Sequence, residues 1–196
     1  MASFDPMPVP RTLVLVGLMG AGKTCIGRRL AARLDIPFVD ADTEIEAAAG
    51  CSIEDIFELH GEAAFRDGER RVIARLLNQP VQVLATGGGA FMNGGTREAI
   101  KERAISIWLN ADLELLLKRT LRRNNRPLLK RADPRATLER LIIDRNPVYA
   151  QADIRVDSID GPPELTLDQV LQALANFLAS HDVRPAPEAG GRGTAA

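Results

Sequence analysis

The sequence predicts an α/β fold built on a parallel sheet with helices on both faces. Three observations predict it. Five short apolar runs recur along the chain, segments of helical period fill the gaps between them, and the first run leads into a glycine-rich loop that opens a helix. Alternation of this kind is what βαβ units produce, because parallel neighbours need a crossover between them.

The first run, 12–16, is Thr-Leu-Val-Leu-Val, and it is followed by Gly17-Leu18-Met19-Gly20-Ala21-Gly22-Lys23-Thr24. Ile26, Leu30 and Leu34 then fall on one helical face. A second run at 37–39 ends in Asp40-Ala41-Asp42. Ser52 with Glu54 and Asp55 reads as a helix start, and Phe65, Val72, Ile73 and Leu76 make the apolar face of a helix over 62–77. The third run, 81–85, meets Thr86-Gly87-Gly88-Gly89; the fourth occupies 104–109. A helix over 112–121 leads into a basic polar segment, and the next helix is expected to end near Arg145, because Pro147 biases Asn146 away from helical geometry. The fifth run, 152–156, precedes a last helix over 164–180 with Leu167, Val170, Leu171, Leu174 and Phe177 inward.

At 196 residues the chain suits one domain, over 11–181, with Pro-, Gly- and Ala-rich tails at 1–10 and 182–196 expected to be disordered. A hydrophobic content of 45% and a net charge of −1 argue for a soluble protein that does not coat nucleic acid. No stretch reaches the roughly 20 apolar residues of a membrane span. The apolar run before Lys23 is interrupted by that lysine and preceded by Asp5 and three prolines, which is poor signal-peptide chemistry. A cytosolic location is the expectation. Cys25 and Cys51 form no CxxC pair, so reduced, buried thiols are expected, and His60 and His181 stand apart without a partner pattern.

Strand, glycine loop and helix in that order are the context of a phosphate-binding P-loop. Its backbone N–H groups can converge on one anion, Lys23 can neutralise outer phosphates, and the Thr24 hydroxyl can hold Mg²⁺. The alternative is a glycine-rich turn that merely caps a helix. Asp40 and Asp42 sit at a strand's carboxyl end, where open α/β sheets bind ligands. On an extended tip they would point opposite ways, one to a metal and one to a second substrate; alternatively Asp42 is the N-cap of the next helix.

Arg66 lies four residues after Glu62 and three before Glu69, so both acids can hold its guanidinium ready for a planar anion. A solvated charged face is the bland reading of the same pattern. Gly68, inside that helix, asks for a reason such as a close neighbour. Gly87, Gly88 and Gly89 would let a ligand lie against the main chain, at a place where many P-loop proteins carry an acid. Lys118, Arg119, Arg122, Arg123, Arg126, Lys130, Arg131 and Arg135 concentrate positive charge around turn-forming Asn124-Asn125-Arg126-Pro127. That is a lid over about 121–135, a nucleic-acid patch lacking stacking aromatics, or a solvated loop. Arg145 either complements a helix dipole or joins Arg66 in a clamp.

Taken in order, GLMGAGKT, DAD, FRDGE, TGGG, NRPLL and RNPVY resemble the shikimate kinase family over roughly residues 12–160. The resemblance implies a nucleoside-monophosphate-kinase-like P-loop fold of five parallel strands with a lid. It implies Mg²⁺-ATP-dependent phosphorylation of the 3-hydroxyl of shikimate, on the way to chorismate and the aromatic amino acids. Gly20, Ala21, Gly22, Lys23, Thr24 and Cys25 would hold the phosphates, Thr24 and Asp40 the metal, and Arg119 the adenine with the segment 157–162. Asp42 would bind the acceptor hydroxyls and take the proton. Arg66 and Arg145 would grip the carboxylate, Gly87, Gly88 and Gly89 would contact the ring, and Arg126 would reach the phosphates from the lid. The partners implied are ATP and shikimate, with no nucleic acid or membrane, for a monomer. A gluconate or nucleotide kinase of the same fold stays open as an alternative. So does a nucleotide-operated switch, though neither NKxD nor DxxG occurs.

Overall fold

The computed structural model describes residues 8–121 and 133–187. Arg126 and most of the basic lid segment lie outside the described residues.

Five strands form one sheet: β1 (Thr12–Val16), β2 (Phe38–Asp40), β3 (Val83–Ala85), β4 (Ala104–Asn110) and β5 (Ile154–Asp157). Their order is β2-β3-β1-β4-β5 and every neighbouring pair is parallel. Each strand grows from one of the five apolar runs. Alternate side chains of a strand point to opposite faces, yet all five residues of β1 are buried, so the central strand is covered on both sides. That is why its sequence reads as an unbroken apolar run. Burying each Leu or Ile of such a strand is worth about 1.5–3 kcal/mol over leaving it exposed.

From β1 the chain crosses to β2 and β3 on one side, then to β4 and β5 on the other. The carboxyl ends of β1, β3 and β4 therefore flank a switch point, the place where such sheets leave a crevice for ligands.

Seven helices complete the described residues: α1 (Lys23–Leu34), α2 (Ala41–Ala49), α3 (Ile53–Leu76), α4 (Gly94–Arg103), α5 (Leu113–Leu121), α6 (Pro134–Tyr149) and α7 (Pro163–Ser180), with a 3₁₀ turn at Ala90–Met92. Ser52 and Asp55 form a reciprocal capping box at the start of α3. The two helices expected before and after residue 61 are joined across a break at Gly61, whose φ of 78° and ψ of 173° suit glycine.

Two local expectations are corrected. Gly68 has no close neighbour: a Cβ there would meet nothing within 4 Å. And α6 runs through Pro147 to Tyr149 instead of ending near Arg145. A proline removes one backbone bond, but Tyr149 is fully buried and its packing holds the last turn in place. Residues inside the expected tails make contacts: the carbonyl of Arg184 accepts a 2.6 Å bond from Arg11, and Val9 and Val183 pack on the core. Cys25 and Cys51 are free and only half-buried. Among the described residues no helix is long and apolar enough to cross a membrane.

Candidate active site

The loop between β1 and α1 bends through Gly20 (φ 84°) and Gly22 (φ 101°), backbone that disfavours any side chain. Gly22 is the N-cap of α1 and offers no side chain to the orphan N–H groups of the first turn, which contains no acid. The N-terminus of α2 is the opposite case. There the Asp40 side chain accepts from the Asp42 N–H, and Asp42 and Glu44 occupy the first turn. Of these two helix ends only that of α1 has no side-chain cap and no acid, so it is the one suited to an anion. The ammonium of Lys23 is held over the same loop, donating to the carbonyls of Gly17 (2.7 Å) and Leu18 (3.0 Å).

Asp40, not Asp42, is thus the helix cap, and α2 begins at Ala41 directly after β2. The expected alternation across an extended tip does not occur, because Asp42 already stands on a helix. Both acids line the cavity that the P-loop opens into. Asp40 uses one oxygen for the cap and accepts with the other from the Thr24 hydroxyl at 2.9 Å. Two hard oxygen donors therefore stand side by side at the foot of the loop. Such a pair fits Mg²⁺, which takes one or two protein oxygens and keeps water and phosphate for the rest.

The cavity has a volume of about 340 Å³ and runs from Gly20, Gly22, Lys23, Thr24 and Cys25 past Asp40 and Asp42 to Thr86, Gly87 and Gly88. Its other end is walled by Arg119, Ser158, Gly161, Pro163 and Thr166. There the Arg119 guanidinium donates to the Ser158 hydroxyl (2.8 Å) and to the Ile159 carbonyl (2.8 Å), so it lies along the segment after β5. Lys118 pins the same segment through Asp160 at 2.6 Å.

Two of the three glycines after β3, Gly87 and Gly89, are dictated by what surrounds them. A Cβ on Gly87 would lie 2.8 Å from Asp42 Oδ1 and 3.0 Å from Glu69 Oε1; one on Gly89 would lie 2.5 Å from Arg66 Nη1. The Gly88 carbonyl accepts from Arg145 Nη1 at 3.0 Å and from the Tyr149 hydroxyl. Asp42, Arg66 and Arg145 are brought together on this loop from three separate helices. Arg66, Gly89 and Arg145 do not line the cavity itself; they stand around its Gly87–Gly88 end.

Arg66 is held as its neighbours suggested, by Glu69 at 2.8 Å and Glu62 at 3.3 Å. Glu69 is 3% exposed and its second oxygen, Oε1, has no hydrogen-bond partner. Burial pushes its carboxyl above the ordinary glutamate range; Arg66 opposes that rise and Asp42 adds to it. Sequence reasoning found Glu69 as a partner of Arg66 but not its burial. It missed Tyr149 as a polar group altogether, because the hydroxyl's target is a carbonyl far away in sequence. Thr166, another cavity residue, carries no local signal either, whereas Ser158 falls in the segment 157–162 that the family resemblance named.

The fold and the cavity define a P-loop phosphotransferase, with a glycine loop and an uncapped helix start on one side and Asp42, Arg66 and Arg145 around the glycines after β3 on the other. The family model for shikimate kinase matches residues 19–175. The chain belongs to the shikimate kinase family. It is 61% identical to a shikimate kinase of Paramagnetospirillum magneticum over 87% of each chain. Among solved structures, shikimate kinase from Acinetobacter baumannii in complex with shikimate superposes with a TM-score of 0.81 at 40% identity, covering 85% of this chain and 93% of that one. A gluconokinase from Sinorhizobium meliloti 1021 reaches a TM-score of 0.57 at 16% identity over 89% of this chain and 100% of its own, which shows a shared fold and no more.

Proposed function

We propose that the protein is an ATP-dependent kinase that transfers the γ-phosphoryl group to the 3-hydroxyl of shikimate, giving shikimate 3-phosphate. Membership of the shikimate kinase family supports the activity. The observation that carries the site assignment is the convergence of Asp42, Arg66 and Arg145 on Gly87–Gly89, at the end of a cavity that begins at the P-loop.

Amides of Gly20, Ala21, Gly22, Lys23, Thr24 and Cys25 cradle the phosphates, and Lys23 leaves its carbonyl partners to neutralise them. Arg119 lies against adenine. Arg66 and Arg145 bind the acceptor carboxylate, with the main chain of Gly87, Gly88 and Gly89 under the ring. Asp42 orients the attacking hydroxyl and takes its proton as the oxygen bonds to phosphorus and the bond to the leaving ADP oxygen breaks. Thr24 directly, and Asp40 through water, would hold Mg²⁺, whose bound charge neutralises the phosphate oxygens. Arg126, which lies outside the described residues, adds positive charge to the transferring group, so Arg126→Ala lowers kcat by roughly 10² or more. The enzyme acts in the cytosol as a monomer.

A coupled assay of ADP release tests the activity, with the product's phosphorus position read by NMR. Release that depends on shikimate, with the phosphate on the 3-oxygen, is expected. Equal release with gluconate, or phosphate on another oxygen, overturns the acceptor assignment.

A further inference from the structure

Tyr149 closes α6, two residues after a proline that removes a backbone bond from that turn. Its ring is fully buried between Trp108 and Phe91, with centroids 6.0 and 6.3 Å away. Its hydroxyl emerges from this stack and donates to the Gly88 carbonyl, the atom that also accepts from Arg145. Both lone pairs of that carbonyl are therefore occupied by donors from α6. On its other side Gly88 rests on the P-loop, where a Cβ would lie 3.4 Å from the Met19 nitrogen. The residue is held from two directions.

In a trans peptide the C=O and the following N–H point opposite ways. Fixing the Gly88 carbonyl toward α6 thus fixes the Gly89 N–H away from α6. We propose that Tyr149 is a positioning residue for the acceptor: its buried hydroxyl shares the Gly88 carbonyl with Arg145 and so sets the direction of the Gly88–Gly89 peptide that the acceptor lies against. Burial pushes the Tyr149 phenol up to about 12, so it stays a donor at any working pH. The inference rests on the acceptor site proposed above and adds a residue to it that touches neither substrate.

Tyr149→Phe removes the hydroxyl and keeps the ring, so it is the discriminating variant. The expected result is a rise in KM for shikimate of about five- to tenfold, the usual yield of one lost hydrogen bond to a buried group. KM for ATP is expected to stay within about twofold, since the phosphate cradle is untouched. Emission of Trp108, the chain's single tryptophan, should be unchanged if the ring stack survives. Phe91→Leu is the packing control: it should lower the melting temperature without separating the two KM values. If Tyr149→Phe raises both KM values together, or only lowers the melting temperature, Tyr149 merely packs and the inference fails. It fails too if Phe91→Leu reproduces the separation. Arg66→Ala tells this failure from that of the site: should Arg66→Ala leave KM for shikimate unchanged, the acceptor site itself is misassigned.

Discussion

The two ends of the cavity are built by opposite means. The proposed phosphate end comes from consecutive residues, Gly17 to Thr24, and offers backbone that bends at Gly20 and Gly22 and a helix start without a side-chain cap. The proposed acceptor end comes from side chains on α2, α3 and α6, gathered around a glycine loop where the missing Cβ atoms of Gly87 and Gly89 leave room for Asp42, Glu69 and Arg66. A backbone cradle depends on φ and ψ and tolerates changes in many neighbouring side chains. A side-chain clamp depends on packing between helices, and shifts of a few tenths of an ångström reach it. The acceptor end should therefore be the more fragile to remote substitution, and the more separable by single mutations.

Asp42→Asn sharpens the comparison most. It should lower kcat by roughly 10² to 10⁴, the range for losing a general base, while ATP affinity by calorimetry is unchanged. A parallel loss of ATP affinity would mean that the two ends are one unit. Gly89→Ala comes next. Its Cβ would sit 2.5 Å from the Arg66 guanidinium, so the arginine must move, and misplacement on this scale can cost up to about 10²-fold in efficiency with shikimate. Steady-state kinetics with each substrate varied would show whether the cost stays at the acceptor end.

Glu69→Gln probes the packing beneath the clamp. The folded carboxyl of Glu69 is raised above its ordinary value of 4.5, so its contribution to stability is fully present below that value and is lost as pH rises through the raised one. Glutamine does not titrate. The variant should therefore gain stability on the wild type as pH rises from 4.5 toward neutrality, read from denaturant midpoints across that range. A constant difference would remove burial as the controlling effect. Gly68→Ala has the smallest expected effect: with open space at the Cβ it should stabilise α3 by about 0.5–1 kcal/mol, raising the melting temperature with no change in either KM.

The sheet was largely legible in the sequence because a buried parallel strand has to be apolar on both faces, as 12–16 and 104–109 are. The P-loop was legible for a related reason: its function is local, so its residues are contiguous. Arg66 could be seen to have acidic partners because helical neighbours lie at fixed spacing. That it pairs with Arg145 was one of two open readings of the residues until the family resemblance favoured it, since nothing in the spacing of α3 and α6 says that they meet at Gly88. The two misjudged details have physical causes. Asp40 outcompeted Asp42 as cap because β2 passes into α2 with no linker, and Pro147 failed to stop α6 because a buried tyrosine two residues on outweighs one missing backbone bond. Tyr149 itself was illegible as a polar group, since a single hydroxyl bonded to a distant carbonyl leaves no pattern.

Calorimetric titration of shikimate and of ATP, each alone, into the wild type and Arg66→Ala tests the division of the cavity most directly. Shikimate affinity should fall by about 10-fold or more, as expected when a charged hydrogen-bond partner is lost, with ATP affinity unchanged. An equal loss for both ligands, or none for shikimate, would contradict the existence of a separate side-chain clamp at the acceptor end.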